Sequence, residues 1–97
     1  MIHADDETRI SSFISTLKYR LEDIIEPDFG LLDELLRLEV LSRGQYAKVR
    51  SERTVYARND ALLNMLTSED QCNSFLKALQ HTGQQHIVNF ITQNGGQ

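Results

Sequence analysis

The residues that chemistry could use in this 97-residue chain are one cysteine, three histidines and fourteen carboxylates. Cys72 would need a neighbouring base to become a nucleophile, and no His, Asp or Glu stands beside it in a nucleophile motif. It shares helical spacing with Phe75, Leu76 and Leu79, so it reads as a buried structural thiol. His81 and His86 lie five apart across Gly83. With Cys72 or Asp70 they form a conceivable ligand set, but the spacing matches no zinc pattern. His81 is more simply a residue suited to a helix C-terminus, and His3 falls in a stretch that reads as a frayed end. The carboxylate pairs Glu22/Asp23 and Asp33/Glu34 are sequence neighbours. Neighbours do not face one another on a helix, which makes them poor acid–base partners. No glycine-rich phosphate loop is present, and Tyr46 and Tyr56 lie near basic residues without a motif that marks them for modification. A non-catalytic chain is expected, with no metal and no cofactor.

What remains is charge, and it is segregated. From Glu22 to Glu39 there are seven acids (Glu22, Asp23, Glu26, Asp28, Asp33, Glu34, Glu39) and one base, Arg37. From Arg43 to Arg58 there are five bases (Arg43, Lys48, Arg50, Arg53, Arg58) and one acid, Glu52. Lys18 and Arg20 precede both runs. A solvated surface explains such runs without any partner, since an exposed ion pair contributes only ~0–1 kcal/mol. Segregation favours more than that, because two opposed patches on one small body let copies dock head to tail. Arg58 is a special case: it flanks the apolar stripe of its helix and can lay its stem along the core edge.

The charge balance narrows the partners. Fourteen acids against ten bases give a net charge of −4, the opposite of what phosphate-backbone binding favours. The longest apolar runs are far too short to span a bilayer. The acidic start, residues 1–7, reads as a flexible segment and not as a secretory or transit leader. A lone cysteine fits a reducing compartment, so a cytoplasmic location is expected.

The elements that must carry these residues read as helices throughout. Proline occurs once, at Pro27, and glycine is absent before Gly30. Ile10, Phe13, Ile14, Leu17, Leu21, Ile24 and Ile25 fall within an arc of roughly 120° on a helical wheel, a core-facing stripe. Asp5 or Asp6 can cap this first helix, and Pro27 ends it. A second helix is expected from Asp28, as N-cap, to Leu38, with Leu31, Leu32, Leu35, Leu36 and Leu38 inward and an Asp33–Arg37 pair outward. Ser42 reads as the cap of a third helix to about Glu52, with Tyr46 and Val49 inward. Thr54 reads as the cap of a fourth, carrying Val55, Ala61, Leu62, Met65 and Leu66. Ser68 and Gln71 fit a capping box opening a fifth, which Gly83 ends. A last helix covers about residues 84–93, and residues 94–97 read as a flexible exit toward further chain. Short connections make the product a compact antiparallel bundle.

Several segments, in this order and spacing, resemble a known family. They are Leu31-Leu32-Asp33-Glu34-Leu35-Leu36, Val40-Leu41-Ser42, Ala61-Leu62-Leu63-Asn64-Met65-Leu66, and Phe75-Leu76-Lys77-Ala78-Leu79 followed by Thr82-Gly83-Gln84-Gln85-His86-Ile87-Val88. Over about residues 8–93 the chain resembles a caspase recruitment domain (CARD), a branch of the death-fold superfamily. The resemblance implies an all-α, six-helix antiparallel Greek-key bundle with a bent or broken first helix. It implies no catalysis. It implies binding to like domains of a caspase, kinase or adaptor, and self-association, in apoptotic, inflammasome or other innate-immune signalling. In the family's commonest contact, a basic surface on the first and fourth helices meets an acidic one on the second and third. On this chain the basic face is read as Lys18, Arg20, Lys48, Arg50, Arg53 and Arg58, and the acidic face as Glu22, Asp23, Asp28, Asp33, Glu34 and Glu39; the third helix departs from the family's pattern, being basic here through Lys48 and Arg50. Asn59 falls where the family expects a base, and Tyr46 where some relatives carry an acid. The alternatives are a helical nucleic-acid-binding domain or another death-fold branch, such as a death domain or a pyrin domain.

Overall fold

The computed structural model describes residues 9–94. Capping by Asp5 or Asp6, the fraying around His3 and the exit after Asn94 lie outside the described residues. Among those described there are seven helical segments and no strand: α1 (Ile10–Thr16), α2 (Lys18–Ile24), α3 (Leu31–Arg37), α4 (Arg43–Arg50), α5 (Val55–Asn64), α6 (Glu69–His81) and α7 (Gln85–Asn94). The first two are halves of one helix, so the bundle has six helices, the number the resemblance implies.

The break falls at Leu17, whose φ of −98° and ψ of 8° interrupt the helix. Ser11, Ser12, Ser15 and Thr16 precede it, residues that hold a helix weakly. The interruption lets the halves face different neighbours: α1 packs on α6 and α7, and α2 on α5. The stripe keeps its phase across the break through Ile14, Leu17 and Leu21, and fails only where α2 ends. Ile24 is 42% exposed, whereas Ile25 swings into extended backbone and is buried.

The capping residues read from the sequence act as expected at three helices. Ser42 and Gln45 form a capping box at α4, Thr54 accepts from the Ala57 amide at α5, and Ser68 and Gln71 form a second capping box at α6. Gly83, at φ 84°, closes α6 in the left-handed region that glycine enters cheaply. The start of the second predicted helix differs. Its N-cap is Gly30, at φ 106°, and not Asp28. The Asp28 carboxylate is engaged by Arg58 instead. Asp33 does not pair with Arg37 either, because Arg37 turns back to Glu34.

The core is aliphatic around one ring. Phe75 is fully buried among Leu21, Leu31, Leu35, Leu62, Leu79, Ile87 and Ile91, all inaccessible to water. Each such side chain contributes about 1.5–3 kcal/mol by leaving water. Tyr46 is half-buried against this core, and Val55, expected inward, is 36% exposed at the first position of α5.

Three long-range polar clamps hold the helices in register. Glu69, at the start of α6, accepts from the Ile10 and Ser11 amides at 2.6 and 3.0 Å and so caps α1 from across the bundle. Burial would push its carboxyl up, but the amide bonds from Ser11 and Ile10 outweigh that and hold it low. Gln84 both accepts from the Glu26 amide and donates to the Glu26 carbonyl, each at 2.9 Å, fixing the turn around Pro27. Asn59, wholly buried, donates to the Glu22 and Ile25 carbonyls at 3.0 and 2.8 Å and closes the C-terminus of α2.

Candidate docking surfaces

The charged residues divide into those turned inward and those left facing water. The α2–α5 seam holds most of the first kind. Glu22 is 1% exposed, so it offers no face to a partner; this corrects its place in the predicted acidic surface. Its side chain lies between Lys18, 3.5 Å away, and the hydroxyl of Tyr56, whose phenol is raised chiefly by its bond to Glu22. Lys18 also binds Asp60 at 2.9 Å. The hydrogen bonds of Asp60 with Glu22 and Lys18 hold its carboxyl below the ordinary range. A helical pair plus an interhelical bridge thus binds Lys18 within the molecule.

Arg58 behaves as its position beside the apolar stripe suggested. Its side chain is 17% exposed, its Nη2 meets Asp28 at 2.9 Å and its Nη1 donates to the Glu52 carbonyl at 2.8 Å. One guanidinium therefore ties the α2–α3 turn to the α4–α5 loop. It joins a residue of the predicted basic face to one of the predicted acidic face, and neither is left with a free charge. Asn59, in the position of an expected base, is the buried clamp described above.

A second meeting point lies on the outside of α3 and α4. The Tyr46 hydroxyl donates to Asp33 at 2.5 Å and accepts from Arg50 at 3.0 Å, while the Arg50 guanidinium stacks 5.6 Å from the Tyr46 ring centre. The phenol is raised mainly by the Asp33 bond. Asp33 and Arg50 were expected on opposed faces, and one tyrosine brings them to the same place. Beside them Glu34 receives Arg37 at 2.6 Å and His81 at 2.9 Å. Those two bonds draw its carboxyl down to about 2.

The remaining predicted residues stand open. Asp23 and Glu39 are exposed and in no ion pair, and so are Lys48 and Arg53. Arg20 is exposed with its guanidinium 5.9 Å from the Phe90 ring centre, a contact that leaves its charge accessible. Arg43 and Glu26, which belonged to the charge runs without being singled out, are exposed and outside any ion pair as well. Of these residues Asp23, Glu26 and Glu39 lie between α2 and the turn after α3, and Arg43, Lys48 and Arg53 in α4 and the loop after it, while Asp70 and Lys77 on α6 are exposed and outside any ion pair as well.

The groups considered for catalysis or metal binding do not converge. Cys72 is buried, and burial together with the Glu69 charge pushes its thiol up to about 11. Among the described residues no group of three or more His, Cys, Asp and Glu is placed to hold a metal ion. No described helix is long and apolar enough to cross a membrane. Sequence reasoning missed two features of this surface. Phe29 is 79% exposed at the turn before α3, and its position between Asp28 and Gly30 was the signal that could have found it. The other is the cross-bundle clamping by Glu69, Gln84 and Asn59, which no local spacing announces.

A bundle of six short helices that presents its open charges on the outside is a fold of the death-fold class. The chain belongs to the caspase recruitment domain family, whose model it matches over residues 6–94. Neither a curated protein nor a solved structure matches the chain. The family is one of homotypic interaction modules in signalling, and its members partner other caspase recruitment domains.

Proposed function

We propose that this domain recruits caspase recruitment domains of a caspase, kinase or adaptor, and copies of itself, in cytoplasmic apoptotic or innate-immune signalling. The observation that carries the reading is the family match over residues 6–94, which spans the whole described bundle. The division of the open charges supports a mechanism. Asp23 and Glu39 offer an acidic side, and Lys48 and Arg53, extended by Arg20, offer a basic one. Opposite sides steer encounter and fix which face meets which. A contact between unlike faces repeats from copy to copy, so it builds rings or open helices. Lys18, Glu22, Asp28 and Arg58 serve the monomer by binding one another and hold no partner.

The test is pull-down and electron microscopy with charge reversals. Lys48→Glu with Arg53→Glu is expected to abolish assembly and to leave helicity and the melting temperature unchanged. Assembly by that variant at the wild-type concentration and salt dependence would overturn the charge-matched mechanism.

A further inference from the structure

Four hydroxyls stand on α1, and none belongs to the apolar core. Ser12, Ser15 and Thr16 are exposed and Ser11 is half-buried. All four border an open depression of about 620 Å³ that Arg9 and Lys18 also line. The charge along this stretch has one sign. From Arg9 to Leu21 there are three bases, Arg9, Lys18 and Arg20, and no acid, in a chain whose net charge is −4. An acidic peptide-binding groove selects such a segment by charge. Ser11 differs from the other three in what it faces. Glu69 of α6 accepts from the Ile10 and Ser11 amides at 2.6 and 3.0 Å, and the Ser11 hydroxyl bonds to the same carboxylate. That carboxylate replaces a cap of α1's own, since Arg9 at the N-cap position makes no side-chain capping bond. A helix of seven residues does not hold by itself in water. It stays in place through Glu69 and through the packing of Ile10, Phe13 and Ile14, of which only Ile14 is fully buried.

We infer that Ser11 is a phosphorylation site for a base-directed serine kinase, and that its phosphate releases α1 from α6. The Ser11 Oγ takes the γ-phosphoryl group of ATP. An Oγ–P bond forms, the bond from the γ-phosphorus to the bridging oxygen breaks, ADP leaves, and the hydroxyl proton passes to the kinase. The phosphate carries a charge of about −1.5 to −2 at neutral pH. A hydroxyl that donates to Glu69 thus becomes an anion set against it, and attraction turns to repulsion. Local opening supplies the extended peptide that a kinase grips. It unwinds about two turns and withdraws one fully buried side chain, Ile14, which places α1 at the weakly held end of the bundle. The break at Leu17 lets α1 leave while α2 stays on α5. Ser12 makes no bond to Glu69, so charge added there leaves the clamp intact.

The site does not depend on the recruitment reading, which rests on other residues. The test treats the 97-residue chain with ATP and the catalytic subunit of cyclic-AMP-dependent protein kinase, which selects serines that follow arginine. Mass spectrometry of the tryptic peptide 10–18 is expected to place a phosphate on Ser11. Amide hydrogen exchange is then expected to speed up over residues 10–16 while residues 69–81 keep their protection. The melting temperature is expected to fall by about 5 °C or more. Ser11→Asp brings a smaller charge to the same place. Its effect on the midpoint is expected to shrink by about half or more in a chain that also carries Glu69→Gln, where the repelling anion is gone. Ser12→Asp is expected to leave the midpoint unchanged. Absence of phosphate from Ser11 overturns the assignment, even where Ser12, Ser15 or Thr16 carries one. So does a phosphate on Ser11 that leaves exchange unchanged, or that raises the midpoint by pairing with Arg9. An equal fall for Ser11→Asp with Glu69 and with Gln at that position overturns the proposed cause, because the loss would then owe nothing to the facing charge.

Discussion

The α2–α5 seam and the α4 surface draw on the same kinds of residue and use them in opposite ways. At the seam, Lys18, Glu22, Asp60, Arg58 and Asp28 bind one another, and Asn59 fastens the end of α2. Around α4, Arg43, Lys48 and Arg53 face water with no acid against them. The first arrangement determines where helices sit; the second leaves charge for another molecule. Substitutions should therefore separate cleanly, with stability responding at the seam and association at α4.

The largest effect is expected at the seam. Asn59→Ala strips two carbonyls of their donor inside the core, at a cost of about 3 kcal/mol, which is a fall of roughly 10–20 °C in melting temperature for a domain of this size. Thermal unfolding followed by circular dichroism checks it, and an unchanged midpoint would erase the distinction between the two regions. Next comes a matched pair. Arg58→Ala removes the tie between two loops and should destabilise by about 1–2 kcal/mol. Arg53→Ala, five residues earlier, should stay within ~0.5 kcal/mol of wild type. Urea titration of the two side by side measures the contrast.

The smallest effect is the pH dependence of Glu34. Its carboxyl falls from an ordinary 4.5 to about 2 in the folded chain, through bonds first to Arg37 and then to His81. A depressed carboxylate stabilises the fold above its unfolded value and loses that contribution as pH falls through its folded one. The melting temperatures of wild type and Glu34→Gln should thus differ above about pH 4.5 and converge toward pH 2. Because Glu34 lies near water, the difference will be small and will shrink in salt.

Local patterns in the sequence carried much of this fold. Ser42, Thr54 and Ser68 announce helix starts through hydroxyls that reach amides three residues on, and such signals need no tertiary context. The Leu31–Leu35 stripe and the Phe75–Leu79 stripe fall inward for the same reason. Other features depend on partners remote in sequence. Glu22 looks like any other acid of its run, and only the approach of α5 buries it. Asp28 looks like an N-cap, and only Arg58, thirty residues away, draws its carboxylate elsewhere. The wheel failed at Ile24 because α2 ends there and Ile25, in extended backbone, takes the inward place instead. The docking surface was legible as a segregation of charge but not as a geometry, since Tyr46 could join Asp33 to Arg50 only once α3 and α4 had packed.

The burial of Cys72 makes the molecule convenient to instrument. A thiol that holds its proton at neutral pH and lies out of reach of solvent reacts slowly with maleimides. A reporter cysteine introduced at an exposed site would therefore take a fluorophore alone, on the otherwise unaltered chain.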